Sequence, residues 1–429
     1  MLAWSIVALL LLASLVSFID RQVVAIVVDP MKADLAISDS EIGWLYGVFS
    51  VFYAVAALPL AWVADNRNRT KLIAIGIGFW SLMTTCCGLA QNFWQVLLAR
   101  MGVGIGEATL TPTTNSLLGD YFPPERLPLA FSIYQLGPIL GSGLAFVIGG
   151  FVLGLVNNLE PLTLPLVGTL HPWQQTFLYL GAPGLLLAAV FVILREPERR
   201  TAPHATRMEF GEVWRFYREN PMTLMCHHFG FLFINLMGYA FVFWTVSYFV
   251  RVHHMEAAAA SVTFGWLFAS FGAVGPLVVA MLAQHLQRRG HDDANITAGM
   301  IGGALAIPAI LAVQFAPTPT VAFLLYAPAL LFINSPFGVA NGALPVIAPP
   351  TIRAQVAALN MLIGSFGMML GPPLAGYFNT HLFPGDDGVR YSIMTMVSIF
   401  GLLGTVLLWL GRKPYAASLR RARERWSDY

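Results

Sequence analysis

Arg100-Met101-Gly102-Val103-Gly104-Ile105-Gly106-Glu107 sets an arginine and a glutamate seven positions apart in an otherwise apolar run. In a helix that separation is about two turns. Both charges then share one face, about 10 Å apart along the axis, too far to pair directly. The glycines between them permit close helix contact. A charge at the centre of a bilayer costs roughly 2.5–3.5 kcal/mol on insertion scales, so such residues usually face a cavity and work there. Two more deep charges, Asp20 and Arg21, fall in Phe18-Ile19-Asp20-Arg21-Gln22, late in the first apolar run. Two carboxylates beside two arginines, in a chain otherwise fit for hydrocarbon, point to a site that handles protons or anions.

The rest of the chain suits that setting. Of 429 residues, 57% are hydrophobic and 11% charged, against about 25% charged in an ordinary soluble protein. Apolar runs separated by charge or Gly/Pro punctuation predict twelve spans, centred near residues 16, 52, 82, 106, 141, 184, 236, 270, 304, 332, 366 and 400. In lipid these are helices, because hydrocarbon leaves no unpaired backbone tolerable. The first run, from Met1 to Val28, lacks a basic start and is too long for a signal segment, so it reads as an uncleaved span. The net charge of +2 gives no reason to expect nucleic acid. Cys86, Cys87 and Cys226 sit in apolar runs and form no metal or redox motif, which makes them small packing residues.

The basic residues predict orientation. With both termini cytoplasmic, 19 Lys and Arg fall in cytoplasmic segments, Arg200 and Arg207 among them, and only Lys32, Arg251 and Arg390 fall in outer loops. That asymmetry is the positive-inside pattern. The long cytoplasmic stretch divides the chain: residues 1–195 form one six-helix bundle, 196–220 a linker, 221–412 a second bundle, and 413–429 a basic cytoplasmic tail. In the linker, Phe210, Val213, Trp214 and Tyr217 recur at helical spacing among Glu209, Glu212, Arg215 and Arg218, the pattern of an amphipathic helix on a membrane face. The halves echo each other. Pro123-Pro124-Glu125-Arg126, Ala130 and Gly137 precede and enter span five, as Pro349-Pro350-Thr351-Ile352-Arg353, Ala357 and Gly364 do span eleven. Duplication of a six-helix unit accounts for this.

Three motifs resemble those of the major facilitator superfamily. Ala61-Trp62-Val63-Ala64-Asp65-Asn66-Arg67-Asn68-Arg69-Thr70-Lys71 is similar to its G-x-x-x-D-R-x-G-R-R/K signature, with Asp65 and Arg69 matching. Ala61 stands for a glycine, Asn66 for an arginine and Asn68 for the turn glycine; asparagine is the non-glycine that best tolerates a left-handed conformation. The resemblance implies that Asp65 and Arg69 latch one end of the protein shut, with Asp120, Glu125 or the start of span eleven as partner. A solvated charge run that only sets topology is the other reading. Arg100 to Gly106 matches the superfamily's R-x-x-x-G-x-G motif throughout. Gly137-Pro138-Ile139-Leu140-Gly141-Ser142-Gly143 is similar to the G-P-x-x-G element of superfamily antiporters, and Gly371-Pro372-Pro373 is a matching hinge candidate.

The Asp20-Arg21 pair together with Arg100 and Glu107 resembles the Spinster family, a lipid-exporting branch. That likeness implies an all-α major facilitator fold and a multi-pass protein of the bacterial inner membrane. It also implies a secondary transporter working by alternating access, with no enzymatic activity, no cofactor and no metal. Glu107 and Asp20 become the expected proton-coupling residues. Arg21 and Arg100 become the expected anchors of an anionic head, since a guanidinium grips phosphate bidentately. Burial and the arginines pull the carboxylates' protonation in opposite directions, and alternating access shifts that balance. Asn235, Tyr239, Asn334, Asn341 and Asn360 are further polar candidates for the substrate cavity, and Gly137 and Pro138 for gating. His227 and His228 offer either a pH sensor or interfacial hydrogen bonding.

The polar N-terminal wall and the apolar C-terminal wall suit an amphiphile, so a lysolipid or sphingoid lipid is expected as partner, with protons. A monomer is expected. A small organic anion, sugar or drug-like compound is the alternative cargo. A lipid enzyme finds no Ser/His/Asp arrangement, metal cluster or phosphate loop in the sequence, and a passive channel would not concentrate substrate under a pH gradient.

Overall fold

The computed structural model describes residues 2–165, 167–199 and 210–425. Arg200, Arg207, Glu209 and the tail end 426–429 lie outside the described residues. Eleven described helices are long and apolar enough to cross a membrane. They are Ala3–Ile26, Asp39–Asn66, Arg69–Cys87, Leu127–Asn157, Pro172–Ile193, Pro221–Phe243, Ala257–Arg288, Ala294–Gln314, Pro319–Ile347, Arg353–His381 and Gly388–Arg425. These are spans one to three and five to twelve.

The fourth span is present in two pieces, Phe93–Glu107 and Leu110–Tyr121, each too short to qualify alone. Pro112 explains the break. It has no N–H to give the Ala108 carbonyl one turn back, and its ring crowds that oxygen. Thr109 and Thr113 compensate: their hydroxyls bond the carbonyls of Gly106 at 2.8 Å and Thr109 at 2.5 Å.

Local capping fixes where spans begin. Ser38 and Glu41 form a reciprocal capping box at the start of span two. Asn68 accepts from the Lys71 N–H at 2.8 Å and starts span three. Its backbone is extended, with φ −67° and ψ 117°. The left-handed turn expected at Asn68 therefore does not occur; the side chain is used as an N-cap, which needs extended geometry. The linker helix forms over Phe210–Glu219. In it Phe216 is buried and Trp214 is exposed, with the Arg218 guanidinium 5.4 Å from the Trp214 ring centre.

Contacts divide the chain into two compact units. The first comprises Met1–Ala205 with Phe243–Ala269 and Gly376–His381; the second comprises Thr206–Val242, Ser270–Ala375 and Leu382–Tyr429. In the first unit, span one packs along span five, and span three along span six. Span five also packs on the opening turns of span eight. There a side chain on Gly150 would collide with the Ser261 side chain and the Ala258 carbonyl. In the second unit, span nine sits among spans eight, ten and twelve. Span twelve runs on unbroken into the basic tail as helix to Arg425. That tail is tied down by Thr223–Ser418 at 2.8 Å, Arg421–Asn220 at 3.0 Å and Arg425–Glu219 at 2.8 Å.

Candidate functional site

Span four is drawn deep into the first unit by its glycines. A side chain on Gly104 would strike the Phe49 carbonyl of span two, and one on Gly106 would strike Trp80 of span three. Arg100 and Glu107 of this span lie against the later turns of span one. All four intramembrane charges meet there. Asp20, Arg100 and Glu107 are at most 1% exposed, and the Arg21 side chain is 13% exposed.

The four residues do not pair symmetrically. Arg21 Nη2 donates to Glu107 Oε2 at 2.8 Å, and Ser17 Oγ donates to the same oxygen at 2.7 Å. Arg100 Nη1 donates to the backbone carbonyl of Asp20 at 2.9 Å. Among the described residues, both carboxylate oxygens of Asp20, the Arg100 Nε and Nη2, and the Arg21 Nε have no hydrogen-bond partner. The Trp80 and Thr84 side chains of span three face Asp20, but no bond closes, and Trp80 Nε1 and Thr84 Oγ1 are also unpartnered. The site therefore holds one carboxylate that is paired through a single oxygen, with Glu107 Oε1 unpartnered, and one that has no hydrogen bond on either oxygen among the described residues. An unpaired buried charge is far more costly than a paired one, so the two carboxyls differ in what a proton does to each.

Aromatic rings complete the site. The Arg21 guanidinium lies 4.9 Å from the Phe18 ring centre and 5.1 Å from those of Phe49 and Tyr53; Arg100 lies 4.8 Å from Phe49. Rings at these distances stabilise a cation without neutralising it. Cys87 is buried beside Arg100. Ser17 and the rings were not legible as site residues in the sequence, although Ser17 stands one helical turn before Arg21 on the same face.

The motif between spans two and three forms a second polar centre. Arg69, 1% exposed, bonds Asp120 of span four, the Glu196 carboxylate at 2.7 Å and the Ser116 carbonyl at 3.0 Å. Glu196 also accepts from the Thr70 N–H at 2.9 Å. Asp65 is exposed, and Arg199 binds its backbone carbonyl together with those of Ala64 and Arg67. Glu125 is exposed. The structure thus joins Arg69 to Asp120 and Glu196, while the described contacts include no ion pair of Asp65.

A third centre was missed. Arg251, expected only as an outer-loop charge, is 9% exposed. Its Nε donates to Asp29 Oδ1 at 2.6 Å, and its other nitrogens donate to both oxygens of Asp39, which Lys32 also reaches at 2.8 Å. Asp39 and Asp65 lie at opposite ends of the 28-residue helix of span two, so the clusters at Arg251 and Arg69 stand about 40 Å apart along that helix.

The polar candidates of the second unit are separately engaged. Asn360 donates to Asn341 at 3.0 Å and Asn334 to the Leu330 carbonyl at 3.4 Å. Asn235 packs where Gly367 leaves room, and Tyr239 is half-buried. His227 bonds the Ala340 carbonyl at 3.0 Å. Gly137 fits against Ser14 and Leu11 of span one, and Pro138 lies inside the helix of span five.

The sequence profile described as Major Facilitator Superfamily matches residues 10–348. An MFS-type efflux pump of Mycolicibacterium smegmatis is 26% identical over 428 residues, 96% of this chain and 93% of the relative. Protein spinster homolog 1 of Xenopus tropicalis is 26% identical over 408 residues, 89% of this chain and 74% of the relative. The crystal structure of a bacterial homologue of the human lysosomal transporter Spinster, inward-facing and unoccupied, superposes with a TM-score of 0.80 at 26% identity, covering 100% of this chain and 99% of that one. With that profile running through most of the chain, and with the membrane helices described above, the chain belongs to the major facilitator superfamily as a transporter of Spinster type.

Proposed function

We propose that the protein is a proton-coupled secondary transporter that moves a lysolipid or sphingoid-type amphiphile by alternating access. The observation that carries this reading is the Arg21–Glu107 pair beside the unsatisfied Asp20 carboxyl. A proton on Glu107 abolishes its charge and loosens its hold on Arg21. The guanidinium, already flanked by Phe18, Phe49 and Tyr53, is then free to hold an anionic head bidentately. When the head leaves, Glu107 ionises and takes Arg21 back. Asp20 is the second proton site, because its protonation removes a buried charge that has no hydrogen bond to hold it, only the nearby Arg100. Proton and anionic head compete for one guanidinium, which suits exchange of the two across the membrane.

The gating parts are Arg69 with Asp120 and Glu196 on one side and Arg251 with Asp29 and Asp39 on the other. Asp65 assists through the backbone that Arg199 binds. The distribution of Lys and Arg supports an inner-membrane protein with both termini, and the Arg69 cluster, facing the cytoplasm. The likeness to an efflux pump favours the second reading, a drug-like compound in place of a lipid.

The experiment is a binding titration on purified protein with an anionic lysolipid and a neutral amphiphile of equal chain length. Arg21→Lys is expected to weaken the anionic ligand at least tenfold more than the neutral one. Arg100→Lys is expected to do likewise by releasing the Asp20 carbonyl and shifting span one. Equal loss of both ligands, or binding of small hydrophilic solutes only, overturns the lipid reading.

A further inference from the structure

The second unit carries a polar pocket of about 150 Å³ where the linker helix, the end of span ten and the tail that continues span twelve come together. Glu212 and Arg215 of the linker helix line it, with Asn220 just before span seven and Ser418, Arg421 and Arg425 of the tail. Its floor is fixed. Asn220 and Ser418 are buried, the Asn220 amide donates to the Phe216 carbonyl at 3.0 Å, and the Ser418 hydroxyl lies 2.8 Å from that of Thr223. On this floor rests Arg421, whose Nη2 donates to Asn220 Oδ1 at 3.0 Å and to Ser418 Oγ at 3.2 Å. Both carboxylates of the pocket are engaged. Glu219 accepts from Arg425 at 2.8 Å, and both oxygens of Glu212 accept from the Thr351 hydroxyl at 2.9 Å. Arg421 meets only neutral acceptors, and Arg215 has no ion pair or hydrogen bond among the described residues. Both arginines are exposed, so a solute can reach them.

The charges decide what fits. Three guanidiniums face two carboxylates, and one of each is spent on the Arg425–Glu219 pair. Arg215 and Arg421 are left as two cations beside one pocket, opposed by Glu212 alone. An anion gains from both. Arg421 uses a single nitrogen on its floor, so Nε and Nη1 remain as a two-pronged donor face, the geometry that grips an oxyanion bidentately. A planar carboxylate offers two oxygens and satisfies one such fork. A tetrahedral phosphate offers oxygens on several sides and can meet two guanidiniums at once. The volume lies below the range of about 300–1,000 Å³ of drug-sized sites, which suits a single small anionic group. We propose that this pocket binds a phosphate group between Arg215 and Arg421, either on a small soluble phosphate ester or on the headgroup of an anionic lipid, as basic pockets at helix ends do. The bound group adds a charged bridge between the linker helix and the tail, beside the Arg425–Glu219 pair that already joins them. The site lies wholly in the second unit, away from the Asp20–Glu107 centre, and does not depend on what is transported.

The test is hydrogen exchange on the full-length protein, in two arms at constant ionic strength. In one, glycerol 3-phosphate is titrated into protein held in an uncharged detergent. In the other, the protein sits in phosphatidylcholine nanodiscs with or without phosphatidylglycerol. Wild type should show saturable slowing of exchange, about tenfold, over Phe210–Glu219 and residues 415–425 in at least one arm. Slowing by glycerol 3-phosphate assigns a soluble phosphate; slowing by phosphatidylglycerol alone assigns a headgroup. Arg421→Gln keeps a donor for Asn220 and Ser418 but loses the charge, and it should abolish the slowing. Arg215→Gln disturbs no contact among the described residues and should lower it about threefold. Arg218→Gln removes an equal charge from the same helix outside the pocket and should leave it intact. No slowing in either arm overturns the proposal. So does an equal loss in Arg218→Gln, which would mean general attraction to a basic surface. Exchange in Ala294–Gln314 equal to wild type shows that each variant is folded.

Discussion

Replacing Glu107 by glutamine removes the only carboxylate of the site that the structure pairs. In the native protein its Oε2 receives Arg21 at 2.8 Å and Ser17 at 2.7 Å, on a side chain that is fully buried. Removing one partner of a buried ion pair typically costs about 3–5 kcal/mol, because the other charge is left uncompensated. Two features reduce that here. The amide oxygen can still accept from Ser17 and Arg21, and each such bond is worth about 0.5–1.5 kcal/mol. Arg21 is also 13% exposed, so water reaches it. A net loss of about 2–3 kcal/mol follows, which for a unit of this size lowers the melting temperature by roughly 5–10 °C. Glutamine cannot take up a proton, so the competition between proton and anionic head for Arg21 ends. The assay is uptake of a fluorescent anionic lysolipid into proteoliposomes, with and without an imposed pH gradient. Wild type should be stimulated by the gradient, and Glu107→Gln should transport at the ungraded rate in both conditions. Stimulation of the variant equal to that of wild type would refute the role of Glu107.

Three further outcomes are expected. Asp120→Asn leaves Arg69 with Glu196 as its remaining carboxylate among the described contacts and should shift the conformational equilibrium by about 1–3 kcal/mol, the usual scale of such coupling; spin-label distances across the Arg69 end report it, and unchanged distributions count against a latch. Arg251→Gln leaves Asp39 with the half-exposed Lys32 and takes from Asp29 its Arg251 ion pair. Hydrogen exchange in Val28–Leu35 and Thr245–His253 should accelerate at least tenfold, and unaltered exchange would show that the cluster holds nothing together. Asp293, outside the spans, is pushed up by burial, but the bonds from Arg412 and Thr297 outweigh this and hold its carboxyl below the usual range. A depressed native value means stability that is present above about pH 4 and lost as pH falls further. Asp293→Asn should therefore melt about 1–3 °C below wild type at neutral pH, as a loss of up to about 1 kcal/mol gives, and the gap should close in acid; a gap independent of pH would exclude the carboxylate as its cause.

The sequence alone was enough to place the helices. Membrane spans are set by unbroken apolar length, a local property, and the twelve expected centres all fall inside observed helices. Asp20, Arg21, Arg100 and Glu107 were legible for a related reason: a charge in such a run is conspicuous wherever the chain folds. Pro112 breaks span four through chemistry that acts within its own turn. Which charge pairs with which was decided by tertiary structure. Helical spacing placed Arg100 and Glu107 on one face, but only the packing of span one against span four gave Glu107 to Arg21 and left the Asp20 carboxyl without a hydrogen bond among the described residues. Asn68 met an extended backbone and became a cap, since the start of span three needed an acceptor there. Arg251 read as loop charge because its partners, Asp29 and Asp39, lie more than 200 positions away. Pairing over such separations follows from helices brought side by side, and no local pattern of residues encodes it.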